Sequence, residues 1–314
     1  MSLSLVTNVQ SLKVQENLTA ATNAMNQAIE RMTTGYKINH AKDNAAGYSI
    51  ANSWETKLGS LDVAADNAAT GLDLLTTAEE TYGLLSSHLQ RVRDLTEQAA
   101  NGTYGSQSLR AIHSEIEARL QEVNRIAANA EFNGIKLMDG KGIPSYGINL
   151  QVGLHADSNS CINLAQSLFA DASISGLFAA AKTQVQTVDN TVTNLNESLA
   201  TVAAACAGMV KSGDKYVPGG DTVKAIDMLA HIDNAINEIS ERTTKIGAAQ
   251  NRVASAISAL DVQSQNLTSS LSTLRDTDIA EESSNYIQAQ ILQQAAATLL
   301  ATANQTPSIA LNLL

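Results

Sequence analysis

The sequence predicts a mostly α fold: a long antiparallel helical rod or coiled coil with a small β-hairpin region, and terminal helices that form a layer of their own. Three observations predict it. The 314 residues include only 3 prolines, the first at Pro144, so nothing before that point forbids uninterrupted helix. Hydrophobic residues make up 44% of the chain, yet it holds only 3 Phe, 7 Tyr and 1 Trp. The apolar surface therefore comes from Ala, Leu, Ile and Val, which suit thin helix-helix seams better than a large globular core. Apolar residues also recur at alternating steps of three and four over long stretches, the period of a coiled-coil seam.

The first segment, residues 1–43, reads as a terminal helix with Leu18, Met25, Ile29 and Met32 on one face, separated from the body by Thr33-Thr34-Gly35. Residues 44–170 follow. Leu61, Ala65, Ala68, Leu72, Leu75, Tyr82, Leu85, Leu89 and Val92 keep nearly heptad spacing, with Glu79 as the polar break. Asn101-Gly102 and Gly105 end this helix, and Ser106 to Ala130 reads as a shorter one supported by Leu109, Ile112, Ile116, Leu120 and Val123. After Asn133-Gly134 the period changes. Ile135 to Leu137, an Asp139-Gly140 turn, Pro144 and Tyr146 to Leu154 read as short strands around tight turns, expected to be the only notable sheet.

Residues 171–220 read as a helical excursion from Ala179 to Lys211. Its seam is Ala181, Val185, Val188, Val192, Leu195, Leu199, Val202, Cys206 and Met209. Cys206 falls on the apolar face and is expected to be a small buried hydrophobe; Lys211 to Asp221 is the expected exposed linker. In residues 221–275, Leu229, Ile232, Ile236, Ile239, Thr243, Ile246, Gln250, Val253, Ile257, Leu260, Ser264, Leu267, Leu271 and Leu274 form an unbroken heptad seam. At about 1.5 Å per residue this is a rod of roughly 70 Å. Thr243, Gln250 and Ser264 are the polar positions that fix register. Arg275-Asp276-Thr277-Asp278 supplies a polar break and an N-cap, and residues 276–314 form the last helix, with Ile279, Tyr286, Ile287 and Ile291 on one face. Both terminal helices carry too little apolar surface to stand alone, so another chain is expected to supply the rest.

Several function classes are disfavoured. A net charge of −11 with scattered Lys and Arg argues against nucleic acid. No stretch approaches the roughly 20 apolar residues of a membrane span. Met1 to Gln10 lacks the basic and apolar regions of a secretory signal, so a conventional secretory route is not expected. Cys161 and Cys206 form no CxxC-type pair, and His40, His88, His113, His155 and His231 are dispersed, with no HExxH and no lysine-bearing glycine loop. No cofactor, metal or catalytic set is expected.

Ala28-Ile29-Glu30-Arg31, Thr34-Gly35-Tyr36-Lys37-Ile38-Asn39 and Ala41-Lys42-Asp43-Asn44-Ala45-Ala46-Gly47 resemble the amino-terminal signature of bacterial flagellin. Ala289-Gln290-Ile291-Leu292-Gln293-Gln294-Ala295 and Ala303-Asn304-Gln305 resemble the family's carboxy-terminal helix, and Phe132-Asn133-Gly134 with Lys136-Leu137 its strand entry. The resemblance covers about residues 1–155 and 221–314. It implies a structural subunit of the flagellar filament, serving motility, exported unfolded through the flagellar type III system and polymerised outside the cell. On that plan 1–43 and 276–314 form an inner coiled-coil layer in the filament core, 44–170 and 221–275 the rod, and 171–220 a reduced variable outer segment. The implied core assembly residues are Leu18, Met25, Ile29, Met32, Ile287, Ile291 and Leu299.

The implied partners are other copies of the chain, the flagellar export chaperone, the cap protein and the hook-filament junction proteins. Gln90-Arg91-Val92-Arg93-Asp94-Leu95 resembles the patch sensed by Toll-like receptor 5, with Gln90, Arg91, Leu95 and Glu115 in matching positions. Arg91 and Leu95, four residues apart, are expected to share a helix face. Leu311, Leu313 and Leu314 resemble the leucine-ended tail read by NAIP-class inflammasome sensors. A hook-filament junction protein of the same export system is the alternative.

Overall fold

The computed structural model of the protein describes residues 8–155, 157–181, 203, 206–207, 209–212, 215–218 and 222–312. Two compact units divide the chain: Met1–Ser60 with Gln263–Leu314, and Leu61–Val262. The helices are α1 (Val9–Thr34), α2 (Ala45–Ala100), α3 (Ser106–Asn129), α4 (Ile174–Ala181), α5 (Thr222–Arg275) and α6 (Ile279–Asn312). The strands are β1 (Glu131–Phe132), β2 (Ile135–Lys136), β3 (Ile148–Gln151), β4 (Cys161–Leu164), β5 (Met209–Ser212) and β6 (Lys215–Pro218). The mostly α reading, with its small hairpin region, describes this element set.

In the second unit, the stretch of α2 from Leu61 packs with α3 and α5. Every position of the first seam from Leu61 to Val92 is buried or half-buried, and so is every position of the later seam from Leu229 to Leu260. All five apolar α3 positions named above are buried. Tyr82, Leu85, Leu89, Ile116, Leu120, Ile232, Ile246 and Val253 belong to one continuous core. Burying a Leu- or Ile-sized side chain contributes about 1.5–3 kcal/mol, so this cluster, rather than helix propensity, holds the helices together.

Where the apolar seams are interrupted, the interruptions meet. Gln250 Nε2 donates to Glu79 Oε2 at 2.7 Å. A slip of one heptad would set Glu79 opposite Thr243 or Ile257 and leave Gln250 facing apolar residues, so the pair specifies one register. Thr243 is satisfied within its own helix, its Oγ1 donating to the Ile239 carbonyl at 2.9 Å. Arg93 and Asp233, 2.7 Å apart, add a second link that fixes the antiparallel sense of α2 and α5.

Among the described residues the strands form three two-stranded antiparallel sheets. β1 and β2 turn at Asn133-Gly134, both at positive φ (48° and 79°), as a mirror-image two-residue hairpin turn requires. β3 pairs with β4 from Ile148↔Leu164 to Gln151↔Cys161. The chain then crosses the helices as a strap. Tyr82 OH donates to the Leu168 carbonyl at 2.9 Å, and Arg242 Nη1 donates to the carbonyls of Ala170 and Asp171 at 3.0 and 3.2 Å. Arg242 Nε also reaches Glu238 at 3.0 Å, so the buried guanidinium ties the strap and its own helix together. Burial pushes the Tyr82 hydroxyl pKa up, with Arg242 opposing. The strap leads into α4, whose Ile174 N–H is received by Asn124 Oδ1 from α3 at 2.8 Å.

The sequence reading fails in the middle of the chain. β5 and β6 pair from Met209↔Pro218 to Ser212↔Lys215, so a second hairpin region exists and the earlier sheet is not the only one. Met209 and Lys211 lie in a strand rather than at the end of a helix, and the expected linker from Lys211 holds most of that hairpin. The step from Cys206 to Met209 continues the three-four rhythm, and period alone does not show where a helix gives way to a strand. Val185 to Val202 of the expected helical excursion lie outside the described residues. Cys206 is buried, as expected. Burial pushes its thiol up to about 12, opposed by a hydrogen bond with the equally buried Thr96.

Candidate functional site

The first unit brings the two ends of the chain together. Asn8 caps α1, its Oδ1 accepting from Ser11 N at 3.1 Å, and Asp278 caps α6, accepting from Ala280 N at 2.8 Å. Between those caps the helices run antiparallel. Asn8 Nδ2 donates to the Ala303 carbonyl (2.8 Å), Ser11 Oγ to Asn304 (2.7 Å), and Gln293 Nε2 to Thr22 Oγ1 (3.2 Å), while Arg31 pairs with Glu282 at 2.9 Å.

Their seam is narrow. On α1 the covered row is Ser11, Val14, Leu18, Ala21, Met25, Ala28 and Met32; on α6 it is Glu282, Tyr286, Ala289, Gln293, Ala296, Leu300 and Ala303. Both rows alternate steps of three and four, as knobs-into-holes packing requires. The most buried apolar members are alanines: Ala21, Ala28, Ala289 and Ala296. Each methyl contributes less than about 1 kcal/mol, so the tightest points of the seam gain little from apolar burial.

The larger apolar side chains face elsewhere. Ile287, Ile291 and Leu299 are 52%, 59% and 57% exposed, and Leu292 is exposed beside them. At about 100° per residue Ile287 and Ile291 fall on the side of α6 away from its seam, while Leu292 and Leu299 stand roughly 70–90° from the seam's centre and flank it. Ser284, Ile287, Gln288, Ile291 and Leu292 line a shallow open groove there. On α1, Ile29 is exposed while Leu18, Met25 and Met32 are half-buried in the seam. The single face read from Tyr286, Ile287 and Ile291 is therefore two faces, Tyr286 on the seam and the isoleucines off it. Neighbouring residues differ by about 100° around a helix, and the sequence pattern merged them.

The linking motifs are also legible as structure. Gly35 at φ 77° ends α1, returning its N–H to the Arg31 carbonyl. Tyr36 and Asp276 form an isolated antiparallel bridge: Lys37 N–H donates to the Arg275 carbonyl at 2.8 Å, and Thr277 N–H to the Gly35 carbonyl at 2.9 Å. The Arg275 guanidinium sits 4.3 Å from the Tyr36 ring centre and 3.1 Å from Glu55. Asp43 Oδ2 accepts from the His40 and Asn39 N–H groups, and the first of these chiefly holds its carboxyl below the usual aspartate range. Asn44 Oδ1 caps α2 through Gly47 N–H at 2.9 Å. A Cβ at residue 47 would stand 2.8 Å from Ile38 Cδ1, so Gly47 lets the buried Ile38 approach the helix.

In the second unit, Arg91 Nε and Nη2 both reach Glu115 Oε1 at 3.0 Å, joining α2 to α3, and Gln90 is exposed beside them. Leu95 corrects the sequence reading. It is 2% exposed and belongs to the core, so Arg91 and Leu95 do not share a surface face. Arg91 stands at the border between core and solvent, and the step to Leu95 turns the chain inward. Leu311 lies in the last turn of α6, while Leu313 and Leu314 lie outside the described residues. Sequence reasoning named Arg31, Gln293 and Arg275 only within motifs or the polar break, with no partner, and did not name Glu282. Their signal was a polar residue at a three-four seam position or immediately beside a linker.

Among the described residues no group of His, Cys, Asp or Glu is arranged to hold a metal ion, and no helix is long and apolar enough to cross a membrane. Residues 5–142 match the family model of the bacterial flagellin N-terminal helical region, and residues 229–314 that of the bacterial flagellin C-terminal helical region. Across the full length of both chains, the protein is 32% identical over 380 aligned positions to Flagellin B of Vibrio anguillarum.

The chain belongs to the bacterial flagellin family.

This flagellin is 33% identical to Flagellin D of Vibrio cholerae over 381 positions, again across the whole of both chains. A protein of Vibrio parahaemolyticus described as a flagellar hook-associated protein has a similar fold. Its TM-score is 0.56 at 13% identity, covering 74% of this chain and 100% of that one. Family membership makes the protein a structural subunit that self-assembles into the flagellar filament, not an enzyme. The two family models leave residues 143–228 unmatched. The alignment with Flagellin B leaves 66 of its 380 positions without a residue among the 314 of this flagellin.

Proposed function

We propose that this flagellin is exported unfolded through the flagellar type III system and adds to the distal end of the filament outside the cell, where neighbouring copies cover the apolar arc of α6. The exposed Ile287 and Ile291, opposite a seam whose most buried points are alanines, and the exposed Leu299 at its flank carry this reading. In a lone chain the α1–α6 pair buries little, whereas packing against neighbours removes large apolar side chains from water and offsets the entropy of ordering the ends. Leu18, Met25 and Met32 then set the intrachain seam, and Ile29, Ile287, Ile291 and Leu299 face other subunits. On this reading 1–43 and 276–314 form the inner layer, 44–170 and 221–275 the rod, and 171–220 a reduced outer segment. The export chaperone, cap protein and junction proteins are its expected partners.

Seeded polymerisation tests this function. Purified intact chain should extend flagellar seeds into filaments visible by electron microscopy, and a chain lacking residues 1–40 and 280–314 should not. An intact chain that never extends seeds would instead favour a hook-filament junction protein, a reading that the likeness to the hook-associated fold keeps open.

Monomers present a second surface. Toll-like receptor 5 is proposed to contact Gln90, Arg91 and Glu115, with the buried Leu95 supporting them from beneath. Arg91→Ala should lower receptor signalling by purified monomer at least several-fold while leaving helicity intact; unchanged signalling would rule the patch out. The tail Leu311, Leu313 and Leu314 is proposed as the NAIP-class recognition element, tested by the same comparison after removing residues 311–314.

A further inference from the structure

Two Asn-Gly pairs occur in the chain, and the structure holds them in opposite ways. Asn133-Gly134 is the locked turn between β1 and β2, both residues at positive φ, braced by the Phe132↔Ile135 and Glu131↔Lys136 pairs and by a 2.7 Å ion pair from Lys136 to Glu131. Asn101-Gly102 lies beyond the last turn of α2 in a connection whose five residues, 101–105, are all exposed. Asn101 N–H still donates to the Gln98 carbonyl at 3.2 Å, but the bonds that Asn101 accepts are long: Thr103 N–H to its Oδ1 at 3.4 Å, and Tyr104 N–H to its carbonyl at 3.4 Å. A Cβ built on Gly102 would meet nothing within 4 Å, so the space around its backbone is open.

We infer that Asn101 is a site of spontaneous covalent modification, in which its side-chain amide is converted to a carboxylate through a cyclic imide. The Gly102 backbone nitrogen loses its proton and attacks Asn101 Cγ; the new C–N bond closes a five-membered ring, and the side-chain nitrogen leaves as ammonia. Water then adds to one of the two imide carbonyls. Opening on one side gives aspartate and on the other isoaspartate, in which the main chain runs through Cβ. The net change is the gain of one water, the loss of one ammonia and one new negative charge, with no oxidant, reductant or enzyme required. The missing side chain at Gly102 leaves the attacking nitrogen unshielded, and the open connection allows the backbone rotation that brings nitrogen to Cγ. At Asn133 the paired strands resist the same rotation.

The consequence falls on the α2–α3 connection. A carboxylate directly after the last turn of α2 opposes the negative end of that helix, and the isoaspartyl form lengthens the link that the Arg91–Glu115 pair also spans. The modification marks the age of a subunit, and it does not depend on the receptor or assembly readings.

The test is peptide mapping of the folded, full-length protein incubated in heavy-oxygen water at mildly alkaline pH. The peptide containing Asn101 should take up heavy oxygen and split into aspartate and isoaspartate forms, faster as pH rises. The peptide containing Asn133 should lag several-fold, and the lag should vanish in denaturant. Gly102→Ala, for which the structure has room and which requires no left-handed backbone, should slow conversion at residue 101 several-fold without altering the melting temperature. Equal rates at the two sites in the folded chain, or an Asn101 that stays intact while Asn133 converts, would overturn the inference.

Discussion

Replacing Ile287 and Ile291 together with aspartate is expected to abolish filament growth while leaving the monomer folded. Both side chains are more than half exposed in the single chain, so their loss removes little intrachain packing. Fully burying such a side chain is worth about 1.5–3 kcal/mol and roughly half of each is still exposed in the single chain, so the pair accounts for about 1.5–3 kcal/mol per added subunit. At about 1.4 kcal/mol per tenfold, that raises the monomer concentration needed for elongation by roughly one to two orders of magnitude. Circular dichroism of the variant should match the parent, and light scattering on seeds should stay flat. The conservative pair Ile287→Leu and Ile291→Leu should elongate nearly normally. If the aspartate variant extended seeds at the parental rate, the arc of α6 would not be an assembly face.

Arg242→Met is expected to be the most damaging single change to the second unit that leaves its apolar core intact. Arg242 satisfies the carbonyls of Ala170 and Asp171 and pairs with Glu238, and its side chain is buried. Removing it strands two half-buried carbonyls and the Glu238 carboxylate, a loss of about 2–4 kcal/mol. Tyr82→Phe should cost about 1–3 kcal/mol, since it strands only the Leu168 carbonyl. Both residues hold the same strap, so the double variant should lose less than the sum of the two. Arg242→Lys should recover only part, because an ammonium cannot span the same fork of acceptors. The readout is the denaturant midpoint; a shift for Arg242→Met within about 0.5 kcal/mol of the parent would show the strap to be inessential.

The seam residues of the second unit were legible in the sequence because their burial follows directly from period. Leu229 to Leu260 and Leu61 to Val92 are covered wherever the three-four rhythm places them. The pairing of Glu79 with Gln250 was not legible: each stood out as polar within its own seam, and period says nothing about which residue lies across it. The β5–β6 hairpin was missed although a signal existed. Gly213-Asp214 between Met209-Val210-Lys211-Ser212 and Lys215-Tyr216-Val217 is a two-residue turn sequence between short strand-forming runs. At the ends of the chain, composition announced a shortage of core, but only the fold separated the alanine seam from the isoleucine arc. Leu95 shows the same limit, since residues four apart on a helix still differ by about 40°. That is enough, at the edge of a core, to leave one in solvent and the other in the interior.

The alanines at positions 21, 28, 289 and 296 also set a ceiling. An alanine has no rotamers to freeze, so α1 and α6 come together without side-chain entropy loss at their tightest points. Larger apolar residues there would gain transfer energy but force two closely set backbones apart, while glycine would weaken each helix by roughly 1 kcal/mol. Evolution along this row is therefore confined on both sides. The alanine row thus sets the spacing of the two helices and leaves their further stabilisation to residues outside it.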